Sequence, residues 1–90
     1  MSDKIIFAPR AMKEYMEWQN EDKKTLKKIN KLILDINRNW YSGIGRPEPL
    51  KDNLAGYWSR EIDDKNRIVY NITSGKDVEI IQCKGHYDDK

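Results

Sequence analysis

Residues 23–39 constrain the fold most, because they carry one continuous helical pattern without glycine or proline. Apolar residues recur there every three or four positions, which places them on one side of a helix. They are Leu26, Ile29, Leu32, Ile33 and Ile36. The opposite side carries Lys23, Lys24, Lys27, Lys28 and Lys31. Residues 20–22 before it offer capping acceptors, so the sequence predicts a long amphipathic helix with a basic outer face.

A strand at residues 4–7 and a shorter helix at residues 9–20 are predicted before this long helix. Pro9 cannot donate a hydrogen bond to a strand ladder, but it suits the first turn of a helix. The apolar stripe of this helix consists of Ala11, Tyr15 and Trp18, with Met12 and Met16 beside them. Because these positions follow the helical period, we expect the stripe to face the core.

The second half of the chain changes from helical to strand patterns. Residues 41–49 contain two glycines and two prolines, which predicts a loop with little regular structure. Segments rich in β-branched and aromatic residues follow at 57–62, 67–72 and 78–83. Short links between them predict antiparallel hairpins. The order of elements predicts an α+β fold, a small domain whose N-terminal strand and two helices pack on one face of a mostly antiparallel sheet.

Composition limits the size, the location and the chemistry of the protein. The 90 residues show no internal repeat, so we expect a single domain over residues 1–90. A lone cysteine, Cys83, excludes an internal disulfide and has no companions at zinc-ligand spacing. No segment resembles an export signal or reaches membrane-spanning length, which favours a cytoplasmic protein with no membrane partner. The net charge of +2 is weak evidence for a polyanionic partner.

Two residues are candidates for acid–base chemistry. His86 is the only histidine, the residue type used most often for proton transfer in enzymes, although a histidine at this position is also compatible with an ordinary surface residue. Glu48 stands between Pro47 and Pro49, which restrict the backbone and hold its carboxylate in place. The alternative for Glu48 is a solvated acid in a stiff turn.

Arginine, aromatic and lysine side chains suggest contacts to phosphates or bases. Arg67 begins a predicted strand, where its planar donors suit phosphate oxygens or, equally, a surface ion pair. Tyr57 and Trp58 alternate in face, and Trp58 is the better core candidate. The lysine face fits a phosphate backbone or a solvated helix surface. Without a phosphate-binding glycine loop, a nucleophile elbow or a metal-type carboxylate cluster in the sequence, acid–base chemistry with arginine support remains.

Two adjacent segments of the chain read GIGRPEPLK at 43–51 and NLAGYWSR at 53–60. Together they resemble the central signature of YoeB-type toxins in the RelE/ParE superfamily of type II toxin–antitoxin systems. Further matches are EWQ at 17–19, DKK at 22–24, NRIVY at 66–70 and HY at 86–87, so the resemblance covers about residues 15–87. It implies a RelE-like fold and an endoribonuclease that cleaves messenger RNA in the ribosomal A site. It implies no metal and no cofactor.

Position by position, the resemblance assigns roles to individual residues. Glu48 matches the general base that activates the 2'-hydroxyl of the message, and Arg67 matches the stabiliser of the pentacovalent phosphate. His86 matches the acid that protonates the leaving 5'-oxygen, giving a 2',3'-cyclic phosphate and a 5'-hydroxyl. RNA-binding positions are matched by Lys51, Arg60 and Tyr87. Two residues depart from the pattern: Glu61 replaces an expected arginine, and Gly85, in place of a bulkier residue, is expected to loosen the C-terminal pair.

The implied partners are messenger RNA on the 70S ribosome and a cognate YefM/Phd-type antitoxin that neutralises the toxin, with monomer and homodimer both open. Two other readings compete with cleavage. The chain is alternatively an RNA-binding or ribosome-binding module that blocks translation without cutting. It is alternatively an interaction partner that captures a disordered antitoxin segment and regulates transcription as a co-repressor.

Overall fold

The computed structural model describes residues 4–86, which form two α-helices and a five-stranded sheet. The elements are β1 (Ile5–Phe7), α1 (Pro9–Glu21), α2 (Lys23–Arg38), β2 (Glu48–Pro49), β3 (Trp58–Glu61), β4 (Arg67–Ile72) and β5 (Val78–Gln82). The strand order is β1-β5-β4-β3-β2, with β1 parallel to β5 and all other neighbours antiparallel. The predicted α+β class and mostly antiparallel sheet are therefore confirmed. Within residues 4–86, no helix is long and apolar enough to cross a membrane.

The junction between the helices follows the capping chemistry of the sequence. α1 begins at Pro9, and Asp22 separates α1 from α2. The Asp22 carboxylate accepts hydrogen bonds from the Thr25 hydroxyl at 2.7 Å and the Thr25 amide at 3.1 Å. These two bonds lower the pKa of Asp22. They satisfy a donor that has no partner within the helix, so α2 starts where the sequence predicts.

The core lies between the helices and one face of the sheet. From the helices it takes Ala11, Trp18, Ile29, Leu32, Ile33 and Ile36, and from the sheet and its flanks Ile62, Ile68, Tyr70, Val78, Ile80 and Cys83. The predicted apolar face of α2 is confirmed. Met12 and Met16, however, are 41% and 57% exposed, so the predicted stripe of α1 is too wide. Each methionine follows a core-facing residue by one position, which rotates its side chain by about 100° around the helix.

A buried arginine ties the segment after α2 to the sheet. Arg60 on β3 is 0% exposed, and its Nη1 donates to Asp35 Oδ2 at 2.6 Å while its Nε donates to the Tyr70 hydroxyl at 3.2 Å. Its remaining acceptors are the backbone carbonyls of Asn39, Ser42 and Ile44. All five guanidinium donors thus have partners, which is the condition under which a buried charge is tolerated.

Asp35 completes this arrangement from α2. Its Oδ2 also accepts the Ile44 amide at 3.0 Å. Burial alone raises the pKa of Asp35, but the hydrogen bonds from Arg60 and Ile44 outweigh burial, and the pKa is lowered. A side chain on Gly43 would place its Cβ 2.0 Å from Asp35 Oδ2, and the φ of Gly43 is +115°. The glycine therefore allows the loop to approach α2 closely.

The prediction of a loop over residues 41–49 is wrong for the last two of these residues. Residues 48 and 49 form β2, which pairs with β3 through Glu48 opposite Ser59 and Pro49 opposite Trp58. Pro49 is tolerated in β2 because β2 is an edge strand. The amide hydrogen that proline lacks would point away from β3, where no strand needs it. A 3₁₀ turn at Asp52–Leu54 was also not predicted. The predicted antiparallel hairpins β3–β4 and β4–β5 are confirmed.

Candidate active site

The sheet has a second face, turned away from the helices, which we call the open face. Its residues include Glu48, Ser59, Glu61, Arg67, Val69 and Gln82. Paired residues of neighbouring strands project on the same side, and the register pairs Glu48 with Ser59, Ser59 with Val69 and Val69 with Gln82. Glu61 is likewise paired with Arg67. Glu48 and Arg67 therefore share one face of the sheet.

Glu48 is presented by the edge of the sheet. Its residue is exposed and lies between Pro47 and Pro49, and its neighbour on β3 is the small, buried Ser59. Pairing continues beyond β2, because the Leu50 amide donates to the Tyr57 carbonyl at 2.9 Å. A carboxylate carried by a paired backbone, with access to solvent, is suited to accept a proton from a bound substrate.

Arg67 is oriented by the turn at residues 63–66. Its Nη1 donates to the carbonyl oxygens of Asp63 at 2.5 Å and Asn66 at 3.1 Å. Its Nη2 lies 3.9 Å from Glu61 Oε2, and the same carboxylate oxygen lies 3.9 Å from Arg46 Nη1. The side chain of Glu61 is 39% exposed, so both ion pairs are weak. Glu61 therefore places a negative charge between two arginines at the candidate site.

The residue before His86 is hydrogen-bonded to the start of β4. The Gly85 carbonyl accepts the Arg67 amide at 2.9 Å, and the Gly85 amide donates to Asn66 Oδ1 at 2.8 Å. Gly85 has a φ of +81°, a conformation that favours glycine. Glycine therefore permits the turn that docks this backbone against Asn66 and Arg67, while the loosening of the His86–Tyr87 pair by Gly85 stays a prediction. His86 follows, half-buried, next to the start of β4.

The three predicted RNA-binding residues differ in their position and exposure. Lys51 is exposed and follows β2, three residues after Glu48. Arg60 faces the core and has all of its donors occupied, so the prediction that Arg60 contacts RNA is wrong. Alternation along β3 places Arg60 on the helix side, opposite in face to Glu61. Tyr87 lies outside the described residues.

The segment before His86 is also anchored to α1. The Lys84 ammonium contacts Glu21 at 2.9 Å and Glu17 at 3.0 Å, and these bonds raise the pKa of Lys84. Trp18 Nε1 donates to the Cys83 carbonyl at 2.8 Å. Burial, followed by the charge of nearby Glu14, raises the pKa of the Cys83 thiol to about 12, so Cys83 is not a thiolate nucleophile.

Comparison with known proteins shows the family of the chain. A family model described as "YoeB-like toxin of bacterial type II toxin-antitoxin system" matches residues 7–87. The chain belongs to this family. The Toxin YoeB of Streptomyces coelicolor is 46% identical over 84 residues, covering 93% of this chain and 99% of that protein. The Toxin YoeB of Synechocystis is 50% identical over 84 residues, covering 93% and 96%.

Solved structures of YoeB toxins share the fold. The YoeB/ParE toxin from Agrobacterium tumefaciens superposes with a TM-score of 0.90 at 42% identity, covering 93% of this chain and 99% of that chain. A heterotetrameric YoeB–YefM toxin–antitoxin complex and a YoeB dimer, both from Staphylococcus aureus, each give a TM-score of 0.84 at 46% identity, covering 93% and 97%. The resemblance to YoeB-type toxins that the sequence carries is confirmed.

The sequence did not reveal the role of the turn at residues 63–66. The sequence indicates only a short hairpin link there, yet the residues of the turn contact both Arg67 and Gly85. An aspartate followed three positions later by an asparagine is a pattern of side chains that bond to local backbone groups. That pattern could have indicated an ordered turn, but not its contact with Gly85, which is 19 residues away along the chain.

Proposed function

We propose that this YoeB-family toxin is a ribosome-dependent endoribonuclease that cleaves messenger RNA in the ribosomal A site and so inhibits translation. The observation that carries the proposal is the 2.9 Å hydrogen bond between the Arg67 amide and the Gly85 carbonyl. It holds the residue that precedes the only histidine of the sequence against the backbone of Arg67, whose side chain lies on the same sheet face as Glu48. These three side chains supply a base, a positive charge and an acid.

The proposed reaction is an in-line phosphoryl transfer within the message. Glu48 removes the proton of a 2'-hydroxyl, whose oxygen attacks the adjacent phosphorus. Arg67 stabilises the charge that develops on the phosphate oxygens, which is the largest electrostatic demand of such a step. The bond from phosphorus to the 5'-oxygen breaks, and His86 donates a proton to that oxygen. The products are a 2',3'-cyclic phosphate and a free 5'-hydroxyl.

Two further residues are proposed to hold the RNA. Lys51 is exposed close in sequence to Glu48, where its ammonium can pair with a phosphate. Tyr87, directly after His86, is proposed to stack on a base. The proposed steps use side chains for proton transfer and charge stabilisation, so they require neither metal nor cofactor.

The chemistry of the cut ends tests this proposal. Purified toxin is incubated with ribosomes programmed with a defined message, and the ends of the cut message are mapped. We expect a cyclic phosphate upstream and a 5'-hydroxyl downstream of the cut. His86→Ala and Glu48→Ala should each lower the cleavage rate by about 10²–10⁴-fold. Ser74→Ala, which alters an exposed residue of the β4–β5 turn, serves as the control that keeps activity.

Two results would contradict the proposal. A 5'-phosphate at the downstream end would require a different bond to break and would rule out the assigned roles. Cleavage by His86→Ala at the rate of the unaltered protein would show that the histidine is not the acid.

A groove beside α2 favours a second candidate function, RNA or ribosome binding that arrests translation without cutting. The groove has a volume of about 540 Å³, and it is lined by Lys24, Lys27, Lys28, Lys31, Leu32, Ile44 and Gly45. Four lysines along one groove present a surface that can follow a phosphate backbone. Translation arrest with fully intact message would support this function over cleavage.

We further propose a cognate YefM/Phd-type antitoxin as the partner that neutralises the protein. The Staphylococcus aureus YoeB–YefM complex, formed by a toxin 46% identical to this chain, supports the assignment. In such a complex the protein would also act as a co-repressor of transcription. The YoeB dimer from the same species supports a homodimer. Action on ribosomes implies a cytoplasmic location.

A further inference from the structure

The turn at residues 63–66 contacts both Arg67 and the segment that leads to His86. Asn66 lies at the centre of these contacts, because its side chain bonds to Gly85 while its backbone carbonyl accepts from Arg67. We propose that Asn66 is a positioning residue of the candidate active site, which sets where His86 lies relative to Arg67. It does not touch the substrate in this proposal, and its effect passes through Gly85.

The two ends of the Asn66 amide have different partners. Its Oδ1 accepts the Gly85 amide at 2.8 Å, and its Nδ2 lies 3.1 Å from both carboxylate oxygens of Asp63. Turning the amide around would place two donors against each other at Gly85 and two acceptors against each other at Asp63. The neighbours therefore fix its orientation. Asparagine is suited to this position because one short side chain both donates and accepts.

Asp63 holds Asn66 in place. Its Oδ1 also accepts the backbone amides of Lys65 and Asn66, each at 2.8 Å. Burial alone raises the pKa of Asp63, but the hydrogen bonds from Asn66 and Lys65 outweigh burial, and the pKa is lowered. The Asp63 carbonyl in turn accepts Arg67 Nη1. One turn thus fixes the guanidinium through its carbonyls and the histidine segment through its amide side chain.

The consequence is that the candidate acid and the candidate phosphate-binding group share one frame. Catalytic groups that act on opposite sides of one phosphorus must keep their separation, and a displacement of about 1 Å can lower a rate by about 100-fold. Loss of the Asn66 side chain removes the acceptor for the Gly85 amide without removing a reacting group. The expected effect is therefore a lower kcat with an unchanged KM.

The first test uses His86 itself, which gives unambiguous imidazole signals in NMR spectra because it is the only histidine. Asn66→Ala should shift these signals and broaden them, and the Gly85 amide should exchange with solvent about tenfold faster or more. Thr73→Ala is the matched control. It removes a side-chain acceptor for the Asp77 amide, at 3.1 Å, in the other hairpin turn. It should leave the His86 signals and the Gly85 amide unchanged.

The second test uses cleavage kinetics and a rescue, and it rests on the proposed function. Asn66→Ala should lower kcat by about 10- to 100-fold with KM within about twofold. Asn66→Asp keeps the acceptor for Gly85 but places two carboxylates side by side, so it should also lower kcat. Exchanging the pair, Asp63→Asn together with Asn66→Asp, restores a donor between them at constant net charge. The exchanged pair should recover most of the lost kcat.

Three outcomes would overturn the inference. Asn66→Ala and Thr73→Ala giving the same His86 signals, the same Gly85 exchange or the same kcat would each show that Asn66 has no positioning role. If Asn66→Ala fails to fold, the kcat of Asn66→Asp is compared with that of the exchanged pair. A kcat that the exchanged pair does not recover would contradict the positioning role of Asn66. If the unaltered protein does not cut ribosome-bound message, the proposed function fails. The NMR comparison then decides the inference alone.

Discussion

Arg60 and Arg67 lie on neighbouring strands of one hairpin, yet their surroundings differ in almost every respect. Arg60 is 0% exposed, and its guanidinium is enclosed by Asp35, the Tyr70 hydroxyl and three backbone carbonyls. The side chain of Arg67 is 15% exposed. Its guanidinium donates hydrogen bonds to carbonyls of the β3–β4 turn and lies 3.9 Å from the Glu61 carboxylate. Arg60 joins the loop after α2 to the sheet, whereas Arg67 remains at the open face.

The strand register explains the difference. Arg60 is paired with Ile68, and Arg67 is paired with Glu61, so the two arginines belong to adjacent rungs that project on opposite faces. The face toward the helices is buried in the core, so a charge there needs a complete set of partners. On the open face, 15% of the Arg67 side chain stays exposed, so a ligand can still reach this side chain. A match to a family signature does not distinguish these roles, because both arginines lie in matched segments.

The largest expected difference between the two arginines is in their effect on the stability of the protein. Arg60→Met should lower the free energy of unfolding by about 3–5 kcal/mol, because Asp35 and the carbonyls around Arg60 lose their donor. Urea denaturation followed by circular dichroism measures the change. Arg67→Met is the matched control, and it should cost only about 1 kcal/mol, since its two carbonyl contacts are partly exposed. Equal losses for the two variants would contradict the structural role of Arg60.

The next effect is on cleavage and concerns Arg67. Arg67→Ala should lower kcat by about 10²–10³-fold, which is typical for the loss of one donor to a charged transition state. Arg67→Lys should recover only part of the activity, because an ammonium cannot reproduce the planar pair of donors. Single-turnover cleavage of ribosome-bound message is the measurement. If Arg67→Ala cuts as fast as the unaltered protein, the phosphate role of Arg67 is wrong.

The smallest effect concerns Glu61, which lies between Arg46 and Arg67. Glu61→Gln should lower the KM for programmed ribosomes by about two- to fivefold, because two weak ion pairs are released and a negative charge is removed. Glu79→Gln, on β5 and farther from Arg67 along the sheet, makes the same change in net charge and should have less effect. The two variants are compared at low and high salt, because salt screens charge interactions and should reduce the lowering of KM by Glu61→Gln. A KM that is unchanged or raised in Glu61→Gln would show that Glu61 does not oppose RNA binding.

Local sequence patterns predicted most of the elements correctly. The apolar period of residues 23–39 gave α2 to within one residue, and Asp22 marked its start, because both signals act over a single helical turn. β2 was missed because two residues carry no periodicity, and a strand of that length exists only through its pairing with β3. The exposed Met12 and Met16 were misassigned because the width of a buried stripe depends on what packs against it.

The sequence alone determined the order of the two helices and of four of the five strands, the basic face of α2 and, through the resemblance, the toxin family. It also singled out Glu48, Arg67 and His86 as the residues on which a cleavage mechanism would rest. Only the tertiary structure decided that Arg60 is buried, that Glu61 lies between two arginines and that Asn66 links Gly85 to the start of β4. Each of these depends on strand register and on contacts between residues far apart in the chain. A local sequence pattern does not reveal such contacts, because hydrogen bonds across a sheet depend on the register between strands that are distant in the chain.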